Sequence, residues 1–416
     1  MTTGAAGFLE RYNGMIGRLP GDSALRAAAA AAFQASGLPG GTQRRRLEAW
    51  KYTSLRPVAE TNFRQGATHR QEAETFLAGL PLLDAPRVVF VDGAFRADLT
   101  VMPKAGFGRF AQQPDFGTLS WPNRDPMVAL NTMLAVDGAA FHVPLNHDGR
   151  MVQLVSLGLG DTDFHPRHSI HLAGGSKLTL VEISAGQGAY LLNAVEEIHV
   201  GAGAHLTHIR LQDEAVGAFH VSTTYARIEA GATYDSFTLN LGARLSRTEI
   251  HAQLTGAAAV AHLNAAQILA DSQHSDFTSI VSHLAPESTS RQIVKNVLAD
   301  RSRAVFQGKI EVARNAQKTD GYQMNQALLL SPDAEIDSKP ELEIFAHDVK
   351  CSHGATVGEL DAEQIFYLRS RGVSDAEARS ILVRAFLATA LDAVADDSIR
   401  RRLEDAVEQW WERQKK

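Results

Sequence analysis

The spacing of apolar residues divides the chain into three stretches. Over residues 1–137 the period is mostly helical. Phe8, Tyr12, Met15 and Ile16 recur at helical spacing, which predicts helix within residues 4–36. Asp22 or Ser23 is placed to cap a second helix running through the Ala-rich segment to Ala35. Gly37-Leu38-Pro39-Gly40-Gly41 ends it. Residues 86–102 read as a hairpin: Val88-Val89-Phe90-Val91, an Asp92-Gly93 turn, then Ala94–Leu99. Helical spacing returns over Asp125–Val136, with Met127, Leu130, Met133 and Leu134 on one side.

From about Gly138 to Ala346 the pattern changes to short runs of Val, Ile, Leu and Thr broken by glycine. Ile170-His-Leu-Ala-Gly-Gly-Ser-Lys-Leu178 resembles Ile198-His-Val-Gly-Ala-Gly-Ala-His-Leu206, with Gly175 and Gly203 at matching places. Ile228-Glu-Ala-Gly-Ala-Thr-Tyr234 is a looser copy. The leading isoleucines are 28 and then 30 residues apart. Such periods, built from strand-length runs and turn residues, predict a β-solenoid whose coils stack their inward apolar residues in a column. The uneven period keeps an antiparallel sandwich open as the other architecture. The solenoid core is expected over 138–350.

A helical region is expected over 351–416. Asp361–Arg371 runs to Gly372, a C′ glycine. Ser374-Asp-Ala-Glu377 is a capping box. It opens a helix carrying Ile381, Leu382, Ala385, Phe386 and Leu391. The last helix, roughly Ser398–Gln414, sets Ile399, Leu403, Val407 and Trp410 in one stripe against a charged face. That stripe fits either packing on the parent body or docking of a partner through an exposed Trp.

At 416 residues the chain can hold two or three domains. A hydrophobic content of 44% and charged content of 21% fit a soluble globular protein. The net charge of −6 argues against a general nucleic-acid binder. Arg44-Arg45-Arg46 reads as a solvated helix face, and Trp50 and Tyr52 as packing residues. No apolar run reaches the roughly 18 residues of a membrane span, and Met1–Glu10 has neither a basic nor an apolar signal region. A single cysteine allows no internal disulfide and fits a reducing compartment. A cytoplasmic protein is expected.

That cysteine, Cys351, precedes His353 by two residues. Glu341–Val349 reads as a strand, and on a strand i and i+2 share a face. Thiolate and imidazole together suit soft or borderline metals, including iron–sulfur species. A cluster asks for about four ligands, so the others would come from another chain. Alternatively Cys351 is a small buried hydrophobe and His353 a turn residue, or the two form a nucleophile–base dyad of a thiol enzyme. His165, His168 and His171 recur every third residue, but Pro166 and the strand-like setting make them surface or ladder residues. There is no P-loop: Gly308-Lys309 is followed by Ile310, and Arg303 stands where the first glycine belongs. Neither a His-Glu-x-x-His motif nor a nucleophile elbow is present. A solenoid carbohydrate-active enzyme would need a carboxylate pair on one face, and the sequence singles out none.

Several segments resemble the SufB/SufD family of iron–sulfur assembly scaffolds. They are Asn315–Ser331, Ile336–Ile344, Asp348–Gly358 and Phe366-Tyr-Leu-Arg-Ser-Arg-Gly372, with Glu48-Ala-Trp-Lys-Tyr-Thr53, Leu130–Met133 and Phe306-Gln-Gly-Lys-Ile310 upstream. The Cys-Ser-His-Gly-Ala-Thr form and the lone cysteine look like the SufD branch. The resemblance implies a right-handed parallel β-helix flanked by helical regions, and a non-catalytic subunit working with SufB and the ATPase SufC. It implies transient cluster assembly near the SufB interface, with His353 as the functional histidine and Cys351 beside it. The C-terminal helices, with Arg369, Arg371, Phe386 and Trp410, would dock SufC. Pairing of the isolated chain with a second copy of itself, as a homodimer, stays open.

Overall fold

The computed structural model describes residues 4–40, 47–64, 70–103 and 106–414. Arg44-Arg45-Arg46 lies outside the described residues. The helices are α1 (Ala5–Met15), α2 (Ser23–Ser36), α3 (Arg56–Ala59), α4 (Arg70–Ala78), α5 (Pro126–Leu134), α6 (Ala362–Ser370), α7 (Asp375–Leu391) and α8 (Asp397–Gln414). Asp22 caps α2 by accepting from the backbone N–H groups of Ala24 and Leu25.

Between α5 and α6 the chain winds into a parallel β-solenoid of about eight turns. Its two ten-stranded sheets face one another, and successive long strands alternate between them. Pairing is parallel and residue-for-residue, as in His205–Gln212 against Thr233–Asn240. That excludes the antiparallel sandwich. The repeat is more regular than its isoleucines indicate. Gly175, Gly203 and Gly231 all have positive φ, and they recur at 28-residue intervals. Leu178, Leu206 and Tyr234 stack in register. Ile170 stacks on Ile198, but Ile228 stacks on Val200, two residues further along the strand. The third isoleucine therefore belongs to a neighbouring column, which produces the apparent spacing of 30.

Alternation along each strand divides inside from outside. Leu180, Leu206, Tyr234 and Leu263 meet Ile170, Ile198, Ile250 and Phe277 inside the solenoid. On the outside of one sheet, Val181, Ile209, Phe237 and Ile268 are covered by α4, α7 and α8. On the outside of the other, Leu191, Phe219 and Leu245 are covered by residues of α1, α2 and α5.

The hairpin is not a separate feature of the N-terminal region. Arg87–Val91 pairs in parallel with Gln153–Leu157 and joins the solenoid sheet. Its return strand is only Ala94–Phe95. Every residue of α5 is buried, not only one side. The polar Asn131 survives there because its side-chain amide donates to the Pro166 and Asn193 carbonyls.

Trp50 packs, as its sequence setting predicts. Its indole N–H donates to Asp125 at 3.2 Å, and the Arg247 guanidinium lies 4.2 Å from its ring centroid. Arg247 in turn pairs with Asp276, and with Glu249 at 2.7 Å. This buried network fastens the N-terminal segment to the solenoid.

The α8 stripe resolves in favour of packing. Trp410 is 3% exposed and sits with Leu403 and Val407 on Leu211 and Leu239. Assigning Trp410 to a partner surface is therefore corrected: its indole is already covered by this chain, because the outer sheet face needs an apolar cover. Phe386 is partly buried against the same cluster, with Lys295 Nζ 4.5 Å from its ring centroid.

Two outcomes follow from this packing. Trp410→Ala should cost about 3–5 kcal/mol of stability, read as a lowered denaturation midpoint; a loss below about 1 kcal/mol would show that α8 does not hold the sheet. The second concerns acid. Burial alone would raise the Glu249 carboxyl, but the Arg247 charge and the His251 hydrogen bond outweigh it and hold the group at about 2. A depressed folded-state pKa gives stability that is complete above the unfolded value of 4.5 and is lost as pH falls towards about 2. Glu249→Gln should flatten the fall in stability across that window in acid titrations followed by circular dichroism.

Candidate functional site at the open end of the solenoid

The strand Val349–Gly358 carries both Cys351 and His353. It is the last strand of its sheet and pairs on one side only, with Thr319–Leu329. Glu335–Ile344 is likewise last in the opposite sheet. Both strands are far more exposed than those before them. Their free edges present unpaired backbone donors and acceptors. Phe345 and Val357, beside these edges, are 62% and 55% exposed.

Register fixes where the two side chains point. Cys351 stacks on Gly321 and His353 on Gln323, and Gly321 and Gln323 both belong to the buried side of their strand. Cys351 and His353 thus extend the interior column to its open end. A Cβ built on Gly321 would lie 3.3 Å from Cys351 Sγ and 3.3 Å from Ile310 Cδ1. The absence of a side chain there seats the thiol against Ile310, beside Leu342 and Ala346. Cys351 is half-buried and His353 is exposed.

Burial pushes the Cys351 thiol up from its ordinary value; a backbone hydrogen bond with Gly321 opposes this, and Asp320 adds to it. These surroundings favour the protonated thiol over the thiolate. It must lose its proton to bind a metal, which ties binding to pH. Beside it an open hollow of about 360 Å³ is lined by Arg291, Asp320, Tyr322, Lys350 and Ser352. Arg291 is paired with Asp320 at 2.9 Å. On the companion edge strand, Lys339 reaches Glu48 at 3.2 Å. Cys351 and His353 thus share one face of a strand whose other edge is uncovered among the described residues.

The histidines at three-residue spacing do not converge. His165 contacts Asp163 at 2.8 Å. His168 accepts from the Ala139 backbone N–H. His171 stacks between His142 and His199, 5.3 and 4.4 Å away. Three positions along a strand reverse the face, so His168 and His171 diverge.

Arg369 and Arg371 lie at the end of α6 and, unlike the buried Trp410, are exposed. Arg369 approaches Asp375 at 3.6 Å, and Arg371 lies over the Tyr367 ring. Phe366 and Tyr367 between them are exposed, Phe366 at 75%. The sequence held both aromatics in a helix that also carries Ile365, which is buried, and Leu368, which is half-buried. Only packing shows which side faces out.

Two descriptions of known families match the chain. Residues 156–386 match "SUF system FeS cluster assembly, SufBD core domain", and residues 22–154 match "SufBD protein N-terminal region". The iron–sulfur cluster assembly protein SufD of Escherichia coli K12 is 32% identical over 374 residues, covering 87% of this chain and 88% of its own. An iron–sulfur cluster assembly SufBD family protein of Synechocystis is 32% identical over 392 residues, covering 87% and 86%. The chloroplastic protein ABCI7 of Arabidopsis thaliana is 29% identical over 381 residues, covering 86% and 80%.

The raised thiol sets an expectation for reactivity. Cys351 should alkylate more slowly than a free thiol near neutral pH, with the rate climbing at a higher pH than for free cysteine. Iodoacetamide kinetics followed by mass spectrometry would check this. Fast alkylation at neutral pH would instead favour a nucleophilic role.

Proposed function

The chain belongs to the SufBD family of iron–sulfur cluster assembly proteins and is SufD-like; on that premise we propose that it is a non-catalytic scaffold whose open solenoid end is completed by SufB. The observation that carries this reading is the pair of unpaired edge strands, one of which bears Cys351 and His353 on the inward face. A partner adding its own strands would satisfy the free backbone groups and could contribute the missing ligands. The nascent cluster is then cargo shared across the interface, not a resident cofactor. The raised thiol counts against a thiol enzyme. In isolation the same edges would pair with a second copy of this chain.

The ATPase SufC would dock on the face formed by Phe366, Tyr367, Arg369 and Arg371, because that is where α6 leaves large side chains uncovered. Among the described residues no helix is long and apolar enough to cross a membrane. The lone cysteine, which allows no internal disulfide, supports a reducing compartment, which we take to be the cytoplasm.

His353→Ala should lower cluster yield in a reconstituted complex by about tenfold or more while the subunits stay associated. Cluster yield equal to that of the unsubstituted protein would remove His353 from the site. Placing charge on the edge, as Val357→Lys with Phe345→Asp, should instead weaken association itself, read by size-exclusion chromatography with SufB. Undiminished association would move the interface elsewhere.

A further inference from the structure

We propose that the interior of the solenoid holds one divalent first-row transition-metal ion, bound by Glu182, Glu196 and His208. These residues come from three strands: Lys177–Gly186, Leu191–Val200 and His205–Asp213. Glu182 and His208 point inward from one sheet and Glu196 from the other. Their ligand atoms all lie within 4.8 Å of one another. Mixed imidazole and carboxylate donors suit zinc, manganese, cobalt or ferrous iron.

Beyond the clustering, His208 itself points to a ligand. It is fully buried, and its Nε2 has no hydrogen-bond partner among the described residues. That nitrogen stands 3.2 Å from Glu182 Oε2 without hydrogen-bond geometry. Its Nδ1 is 3.3 Å from the Tyr234 hydroxyl. An imidazole held from behind, with its other nitrogen aimed at carboxylates, is arranged as metal ligands are.

Charge balance leads to the same place. The Arg210 guanidinium donates to Glu196 Oε2 at 2.8 Å and to Glu182 Oε2 at 3.2 Å. One cation thus faces two carboxylates, Glu196 buried and Glu182 partly buried, and one negative charge is left over in a low-dielectric interior. The remaining titratable neighbours are His168 and His220. His168 is engaged with the Ala139 N–H, and His220 faces a third carboxylate, Glu214, at 2.9 Å. A bound cation would offset this excess of negative charge.

There is also room. An adjoining cavity of about 30 Å³ is lined by Glu182, Glu196, Arg210, Gln212, His220 and Thr238. That is enough for a water molecule. Gln212 Nε2 and Thr238 Oγ1 are buried there without partners among the described residues, and they are placed to hold a water that completes the coordination. The site lies several coils from Cys351 and His353, so it stands or falls independently of the role of the open end.

The test uses the full chain in a Cys351→Ser background, which keeps the thiol from contributing. The protein is unfolded, refolded with cobalt(II), and washed with chelator. About one equivalent should be retained, with visible ligand-field absorption and no thiolate charge-transfer band. His208→Asn and Glu196→Gln should each drop retention to near zero, while the surface variant His171→Ala with His199→Ala keeps it. Circular dichroism confirms strand content in each. If His208→Asn does not refold, Glu182→Gln supplies the comparison. The assignment is overturned if the parent protein retains no cobalt, if His208→Asn retains it, or if only the surface variant loses it.

Discussion

Parallel, residue-for-residue stacking is the constraint from which the rest of this molecule follows. Each coil satisfies its backbone only through the coils on either side. A solenoid therefore has two problem ends, and this chain treats them differently. At the start, Arg87–Val91 is closed by the short antiparallel strand Ala94–Phe95, and Ala139–Val143 by Phe107–Arg109. Very short terminal strands leave little edge to template further pairing. At the other end Glu335–Ile344 and Val349–Gly358 are full-length and uncapped. The candidate site sits on the end that the chain does not close for itself.

The flanking helices answer a second demand of the same architecture. Parallel sheets carry apolar side chains on both faces. Here the inner faces pack on each other, while α4, α7 and α8 cover one outer face and residues of α1, α2 and α5 cover part of the other. That is why the C-terminal helix spends Trp410 on the sheet. The aromatic side chains left uncovered are instead on α6, at the far end of the helical region.

The interior is not uniformly apolar. Gln267 donates its side-chain amide to Asn296, and Asn296 to Asn325, along successive coils, and Asn240, Ser246 and Ser275 form a connected group beside them. Such ladders work because each polar residue meets a like residue one coil away. Glu182, Glu196, Arg210 and His208 break that pattern. They bring charge into the column without completing its balance, and this separates them from the amide ladders.

The period, the turn glycines, the caps and the lone thiol two residues from an imidazole could all be read in the chain, because each is a local property of neighbouring or regularly spaced residues. Gly175, Gly203 and Gly231 announce the earlier coils, since a positive φ is required at those turns, whereas the equivalent turns of later coils take it at Ala258, Glu287 and Lys318 and carry no glycine signal. The sequence could not say which face of an amphipathic helix meets its own sheet, for the Ile399–Trp410 stripe looks the same packed or exposed. Nor could it join Glu182 and Glu196 to His208, whose meeting depends on the register between coils and the approach of two sheets. Local periodicity is written residue by residue; proximity between strands, and the side left bare, exist only once the coils have stacked.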